Sequence, residues 1–449
     1  MASAAEQLAN SINLGAFSKA TELKSRIWFT LGALVVYRLG TYIPLPGIDP
    51  GILQDIFSHN SGGILGMFDM FSGGALGRMS IFALNIMPYI SASIIIQLLT
   101  AVSPQLEALK KEGESGRKKL NQYTRYGTVL LAAVQAYGIA AGLEGMRSGA
   151  QSAVIDPGLF FRLVTVVTLV GGTVFLMWLG EQITARGVGN GISLIIFAGI
   201  VANLPHALAA TLDLARTHAL SPVFILLFLA MSVGVVAFIV FMERAQRRIL
   251  VQYPKRQVGN RMFGGEASHL PLKINTSGVI PPIFASSLLL LPATISTFDQ
   301  NGGETFGWLG TITAYLGHGR PAYMVLYVSL IIFFCFFYTA IVFNPQETAD
   351  NLRKYGGFIP GIRPGKNTAD YLDYVLTRLT VLGAAYLSAV CILPEILISQ
   401  YSVPFYFGGT SLLIVVSVTM DTVAQIHSHL LAHQYEGLIK KSRLRGRRG

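Results

Sequence analysis

Ten runs of about twenty mostly apolar residues, each the length of a membrane span, alternate with polar and basic segments along the chain. They fall at roughly 26–45, 79–101, 127–145, 158–180, 192–214, 222–243, 278–298, 322–343, 379–398 and 408–429. As helices such runs cross a hydrocarbon core of ~30 Å. The pattern therefore predicts an all-α polytopic membrane protein with ten transmembrane helices. The number is even, so both termini are expected on one side.

One apolar stretch is too short to span. Between the first two runs lies GGILGMFDMFSGGALGRMS, Gly62 to Ser80. Ile64, Leu65, Met67, Phe68, Met70 and Phe71 give it an apolar body, which as a helix reaches only about 12 Å. The glycine pairs Gly62-Gly63 and Gly73-Gly74 flank it and supply backbone that turns freely. Asp69 sits inside it and is expected not to face lipid. A short apolar helix at membrane depth must be enclosed by protein or border a water-filled cavity. The residues fit a movable stopper or a static re-entrant cap equally well.

Composition agrees with a bilayer. The 449 residues are 52% hydrophobic and 13% charged, with mean hydropathy +0.53, where soluble domains carry about 25% charge. The net charge of +11 points to basic cytoplasmic loops and anionic lipid before nucleic acid. Of 34 Lys and Arg, 28 fall at the termini and even-numbered connections; Arg38, Arg78, Arg147, Arg162, Arg216 and Arg320 fall toward the opposite face. The positive-inside rule then places both termini in the cytoplasm. The start, MASAAEQLANSINLGAFSKATELKSR, lacks a basic end followed by an apolar core and cleavage site, so no cleaved leader is expected. Cys335 and Cys391 lie in apolar runs without metal-ligand spacing, and neither a disulfide framework nor a metal site is expected.

Two cytoplasmic connections, about 243–277 and 344–377, are long for links between neighbouring helices. They suit a docking platform, or they only set topology. Five spans precede the fifth connection and five follow it. This divides the chain into an N-terminal half, 1–219, and a C-terminal half, 220–449, and an odd number of helices in each would make a repeat inverted.

In the second run Ile86 and Ile90, and in the fifth Ile192 and Ile196, share a helix face at i,i+4. Converging, such faces would make an aliphatic collar that closes a pore by dewetting. Packing against other helices or lipid explains the same spacing. Pro88, and Pro281-Pro282 at the start of the seventh run, are expected to kink or unwind their helices. Ser91 and Ser93 follow the first, and Ser286 and Ser287 the second, which suits contacts that separate or simply pack closely. Ion-coupled carriers need ionisable groups at mid-membrane depth, whereas Glu181, Glu243, Glu395 and Asp421 lie near span ends. Neither HExxH, GxSxG nor a Walker motif occurs, so no catalytic constellation, nucleotide site or cofactor is expected.

Five segments carry a resemblance to one family. MFSGGALGRMSIFALNIMPYISASIIIQLLT (Met70–Thr100), GVGNGISLIIFAGIV (Gly187–Val201), SHLPLKINTSGVIPPIFASS (Ser268–Ser287), GIRPGKNTADYL (Gly361–Leu372) and VPFYFGGTSLLIVV (Val403–Val416) resemble bacterial SecY, in order and over nearly the whole chain. The resemblance implies a protein-conducting channel of the bacterial inner membrane. Two inverted five-helix halves would enclose a central pore, closed by a plug at about 64–74, with a lateral gate between the second/third and seventh/eighth helices, where Ser91, Ser93, Ser286 and Ser287 lie. It implies a pore ring of Ile86, Ile90, Ile192, Ile196, Ile283 and Ile414. It also implies docking of the motor ATPase SecA through Arg363, and of SecA or the ribosome, with its RNA, through Lys255, Arg256 and Arg261. The family often has paired arginines where this chain has Asn260-Arg261, so one phosphate or acid contact is expected to be missing. Implied partners are SecE, SecG, preproteins, and beyond these YidC, SecDF and anionic lipids.

Overall fold

A backbone in hydrocarbon must satisfy its own hydrogen bonds, and each of the ten apolar runs is helical over most of its length. The computed structural model describes residues 21–53, 69, 72–145, 147–148, 151–216, 222–253, 256–258, 261–263, 267–299, 320–401 and 409–445. In chain order the helices are α1 (Thr21–Gly40), α2 (Met87–Val102), α3 (Pro104–Lys111), α4 (Glu114–Gly145), α5 (Leu159–Arg186), α6 (Gly191–Arg216), α7 (Pro222–Arg244), α8 (Ile280–Asp299), α9 (Pro321–Val342), α10 (Pro345–Lys354), α11 (Lys366–Tyr401) and α12 (Gly409–Arg445). Among the described residues α4, α5, α9, α11 and α12 are long and apolar enough to cross a membrane, and α2 joins them if counted with α3, to which it is bent by 100°.

Two expectations need correction. The second run was expected to be helical from 79, but α2 begins at Met87 and its 16 residues reach about 24 Å. Residues 79–86 instead form tight turns, with Met79 at φ 41° and Asn85 at φ 48°, a region a regular right-handed helix cannot use. Pro88 therefore sits in the first turn of α2, and Pro281-Pro282 in the first turn of α8. The first amides of a helix have no intrahelical partner, so proline starts these helices and does not kink them.

The connections also hold short antiparallel ribbons, which hydropathy did not announce. β1 (Arg147–Ser148) pairs with β2 (Gln151–Ser152). In the sixth connection β3 (Gln246–Gln252) pairs with β6 (Ala267–Lys273), and β4 (Arg256–Val258) with β5 (Arg261–Phe263). Alternation along β3 turns Ile249 and Val251 inward and leaves Arg247, Arg248 and Leu250 exposed, the period of two that a half-buried strand requires.

The chain divides into two compact units. The first comprises Met1–Ala92, Arg125–Pro205 and Ile414–Gly449. Its core gathers Leu45, Leu53, Leu76, Met79, Leu143, Phe161 and Leu169 around Ala132, Ala136 and Ala140 of α4. Alanines four apart give α4 a flat strip that lets neighbours approach closely. Arg125 of α4 makes a two-pronged ion pair with Glu181 of α5, at 2.9 and 2.7 Å. The second unit comprises Ser93–Thr124 and His206–Leu413. There α8 packs on α9, and α9 and α10 on α11.

Candidate functional site

The C-terminal flank of the segment expected to act as a plug is held against α1 and the chain that follows it. α1 ends at Gly40, where a side chain would overlap the ring of Phe82. That ring is sandwiched between Tyr37 and Phe175, at 6.2 and 5.8 Å. The chain after α1 then runs beside residues 79–81. Leu45 N–H donates to the Met79 carbonyl at 2.9 Å and Ile81 N–H to the Ile43 carbonyl at 3.0 Å.

Just before this clasp, residue 69 and residues 72–78 gather around shared polar groups. The Asp69 carboxylate accepts the Gly77 amide at 2.6 Å. Its carbonyl accepts the Ser72 hydroxyl and the Gly74 amide, both at 2.9 Å. Burial pushes the Asp69 carboxyl above the ordinary carboxylate range, and the Gly77 amide and the Arg78 charge pull it back. The carboxylate and the carbonyl of Asp69 together close the turn.

Two arginines hold the same turn from outside. Arg38 of α1 donates to the Gly73 carbonyl at 2.7 Å, and Arg78 to the same oxygen at 3.0 Å. Both guanidiniums lie over the Tyr42 ring, at 5.4 and 4.2 Å from its centre, where the ring's negative face offsets part of their repulsion. Gly73 itself is at φ 68°, and a Cβ there would lie 3.0 Å from the Gly199 Cα of α6. The sequence reading missed Arg38 and Arg78 as partners of the turn. A signal existed: both belong to the basic minority on the face opposite the cytoplasmic loops, and one follows the glycine pair by four residues.

Of the plug residues, Asp69, Gly73 and Gly74 are described; Ile64, Leu65, Met67, Phe68, Met70 and Phe71 lie outside the described residues. Five of the six collar isoleucines belong to the first unit. Ile86 is 1%, Ile90 7%, Ile196 6% and Ile414 1% exposed, while Ile192 is half-buried beside Gly180 of α5. Ile283 belongs to the second unit, half-buried in the first turn of α8, and its carbonyl accepts the Ser286 hydroxyl at 2.9 Å.

Ser91, Ser286 and Ser287 are buried, and the Ser287 hydroxyl has no hydrogen-bond partner among the described residues. Ser93 is half-buried and accepts the Gln97 amide at 3.2 Å. An unsatisfied hydroxyl in an apolar setting is costly.

In the second unit the two long connections form one platform. Gln252 of β3 and Phe358 exchange two backbone hydrogen bonds of 2.9 Å. Ile249, Val251 and Leu272 of the ribbon share a core with Ile359, Leu372 and Val375. Arg363 is exposed on a turn bounded by Gly361 and Gly365, both at positive φ. Its carbonyl accepts the hydroxyl of buried Thr368 at 2.9 Å. Arg256 and Arg261 lie on the paired strands β4 and β5; Lys255 lies outside the described residues.

The profile of the SecY family matches residues 80–423. A protein translocase subunit SecY from Rickettsia conorii is 59% identical over 434 residues, covering 96% of this chain and 99% of the relative. The protein of the same name from Escherichia coli strain K12 is 58% identical over 425 residues, covering 95% and 96%. A solved protein-conducting channel is similar in fold, with TM-score 0.67 at 17% identity over 91% of this chain and 92% of that one. Sec61 from a canine ribosome–channel complex gives TM-score 0.65 at 16% identity, with the same coverage.

Proposed function

The chain belongs to the SecY family, and from that premise we propose how its residues divide the work of a protein-conducting channel in the bacterial membrane. The observation that carries the function is identity of 58–59% to protein translocase subunits over nearly the full length of both chains. The protein is multi-pass, and it conducts unfolded preproteins across the membrane and releases apolar segments sideways into it. Lateral release is favourable by roughly half a kcal/mol per Leu or Ile. The basic connections support an arrangement with both termini in the cytoplasm. The halves 1–219 and 220–449 act as inverted five-helix bodies.

Ile86, Ile90, Ile192, Ile196, Ile283 and Ile414 form the constriction. Burial of four of them to below a tenth of their surface supports a role away from lipid. Residues 64–74 are the plug, and the Arg38–Gly73–Arg78 contact is its anchor. Ser91, Ser93, Ser286 and Ser287 lie along the lateral gate. Lys255, Arg256, Arg261 and Arg363 dock SecA or a translating ribosome. SecE and SecG complete the channel, with YidC, SecDF and anionic lipids as further partners. The deciding experiment is reconstitution into liposomes with purified partners. Protease-protected preprotein is expected inside, and its absence despite inserted channel would overturn the assignment.

Gly73→Ala tests the plug anchor. The positive φ and the approach to Gly199 should destabilise the turn by about 1–3 kcal/mol. Ion leak through resting proteoliposomes is expected to rise several-fold; an unchanged leak would sink the anchor role. The basic ribbon makes a second, independent test. If three cations contact RNA phosphates, ribosome affinity should fall roughly 40-fold between 50 and 200 mM salt. A salt-independent affinity measured by co-sedimentation would exclude RNA contact through this loop.

A further inference from the structure

We propose that Asn275 is a positioning residue, fixing the elbow between the basic ribbon and α8 so that docking on the ribbon moves that helix. The coupling rests on the docking and gating roles proposed above. The ribbon is paired from Gln246↔Lys273 to Gln252↔Ala267, which brings its base to the end of α7. One residue further on, Ile274 N–H donates to the Ala245 carbonyl at 3.1 Å. Asn275 follows, 3% exposed, with its amide engaged at both ends. Nδ2 donates to Glu243 Oε1 of α7 at 2.6 Å and to the Gly278 carbonyl at 3.1 Å. Oδ1 accepts the Ser277 hydroxyl at 3.1 Å.

Gly278, at φ 64°, then turns the chain into α8 at Ile280. On the far side, a Cβ at Gly383 of α11 would lie 3.0 Å from the Ile274 carbonyl, so α11 backs the elbow directly. One planar amide thus ties the end of α7, the base of the ribbon and the entry to α8. Its bond to a carboxylate is charge-assisted and about twice as strong as a neutral one. The shape of the group matters as well as its polarity. Aspartate would set a second carboxylate against Glu243, and leucine would remove the donor from that carboxylate. With the elbow rigid, tilting the ribbon displaces the first turns of α8, which carry Ile283, Ser286 and Ser287.

The test uses full-length channel in proteoliposomes with purified motor ATPase and preprotein, reading motor affinity and translocation per bound motor separately. Asn275→Leu is expected to leave affinity within about twofold while translocation per bound motor falls about tenfold, the effect of one charge-assisted hydrogen bond. Asn275→Asp should fall at least as far. Adding Glu243→Gln to Asn275→Asp restores a donor facing a carboxylate and should recover much of the loss. Affinity and translocation falling together, translocation unchanged in Asn275→Leu, or no recovery in the double variant would each overturn the proposal. A wild-type channel that binds no motor would instead remove the docking role beneath it.

Discussion

Ile414→Asn is expected to let preproteins with defective signal sequences through, raising their export about tenfold or more. Ile414 is 1% exposed on α12, in an otherwise apolar run. An amide at this position loses water without gaining a partner, a cost of roughly 1–3 kcal/mol. That cost falls on the closed state, because opening hydrates the constriction. The closed channel then needs less help from a signal sequence to open. Export of a signal-defective reporter relative to wild type is the measurement. Export no higher than wild type, with the variant present at normal levels, would remove Ile414 from the constriction.

Arg363→Glu is expected to cut preprotein-stimulated ATP hydrolysis by the motor roughly 30-fold or more, the scale for losing a charge pair at an interface. The side chain is exposed, and the turn beneath it is held through backbone, by the Thr368 hydroxyl on the Arg363 carbonyl. Charge reversal should therefore leave the fold and membrane insertion intact and remove only the docking contact. Normal stimulated hydrolysis in this variant would show that the motor binds elsewhere.

Neither substitution follows from residue patterning alone. Arg363 and Ile414 were reached through resemblance, since neither an exposed arginine nor an isoleucine in an apolar helix is unusual. The i,i+4 pairs at 86/90 and 192/196 were visible as spacing, but spacing did not separate a collar from ordinary packing. Burial turns Ile86, Ile90 and Ile196 away from lipid, as a collar and core packing both require. Asp69 was expected to avoid lipid; in the structure its carboxylate accepts the Gly77 amide, a contact no spacing announced.

Other features had only a faint trace in the sequence. Helix α2 begins at Met87 although its apolar run begins at 79, because hydropathy does not register positive φ at Met79 and Asn85. The ribbon β3–β6 was hidden because Ile249, Leu250 and Val251 form an unbroken apolar run between polar residues; only the fold shows Ile249 and Val251 turned inward and Leu250 outward. Asn275 falls inside the connection 243–277 and carried no signal of its own in the sequence. Its role follows from Glu243, which lies 32 positions earlier and reaches it only after the ribbon has paired.

The sequence by itself determined the membrane environment, the ten apolar runs, the segregation of positive charge and the family. These depend on sums over neighbouring residues, namely transfer free energy per span and charge per connection, and such sums survive small errors in any one position. Tertiary structure alone decided that Arg38 and Arg78 meet at one carbonyl, that both long connections share a core, and that a buried amide joins α7 to the entry of α8. Each of these is a directional contact between residues distant in sequence. Such contacts depend on distances of a few ångströms, which only the folded backbone sets.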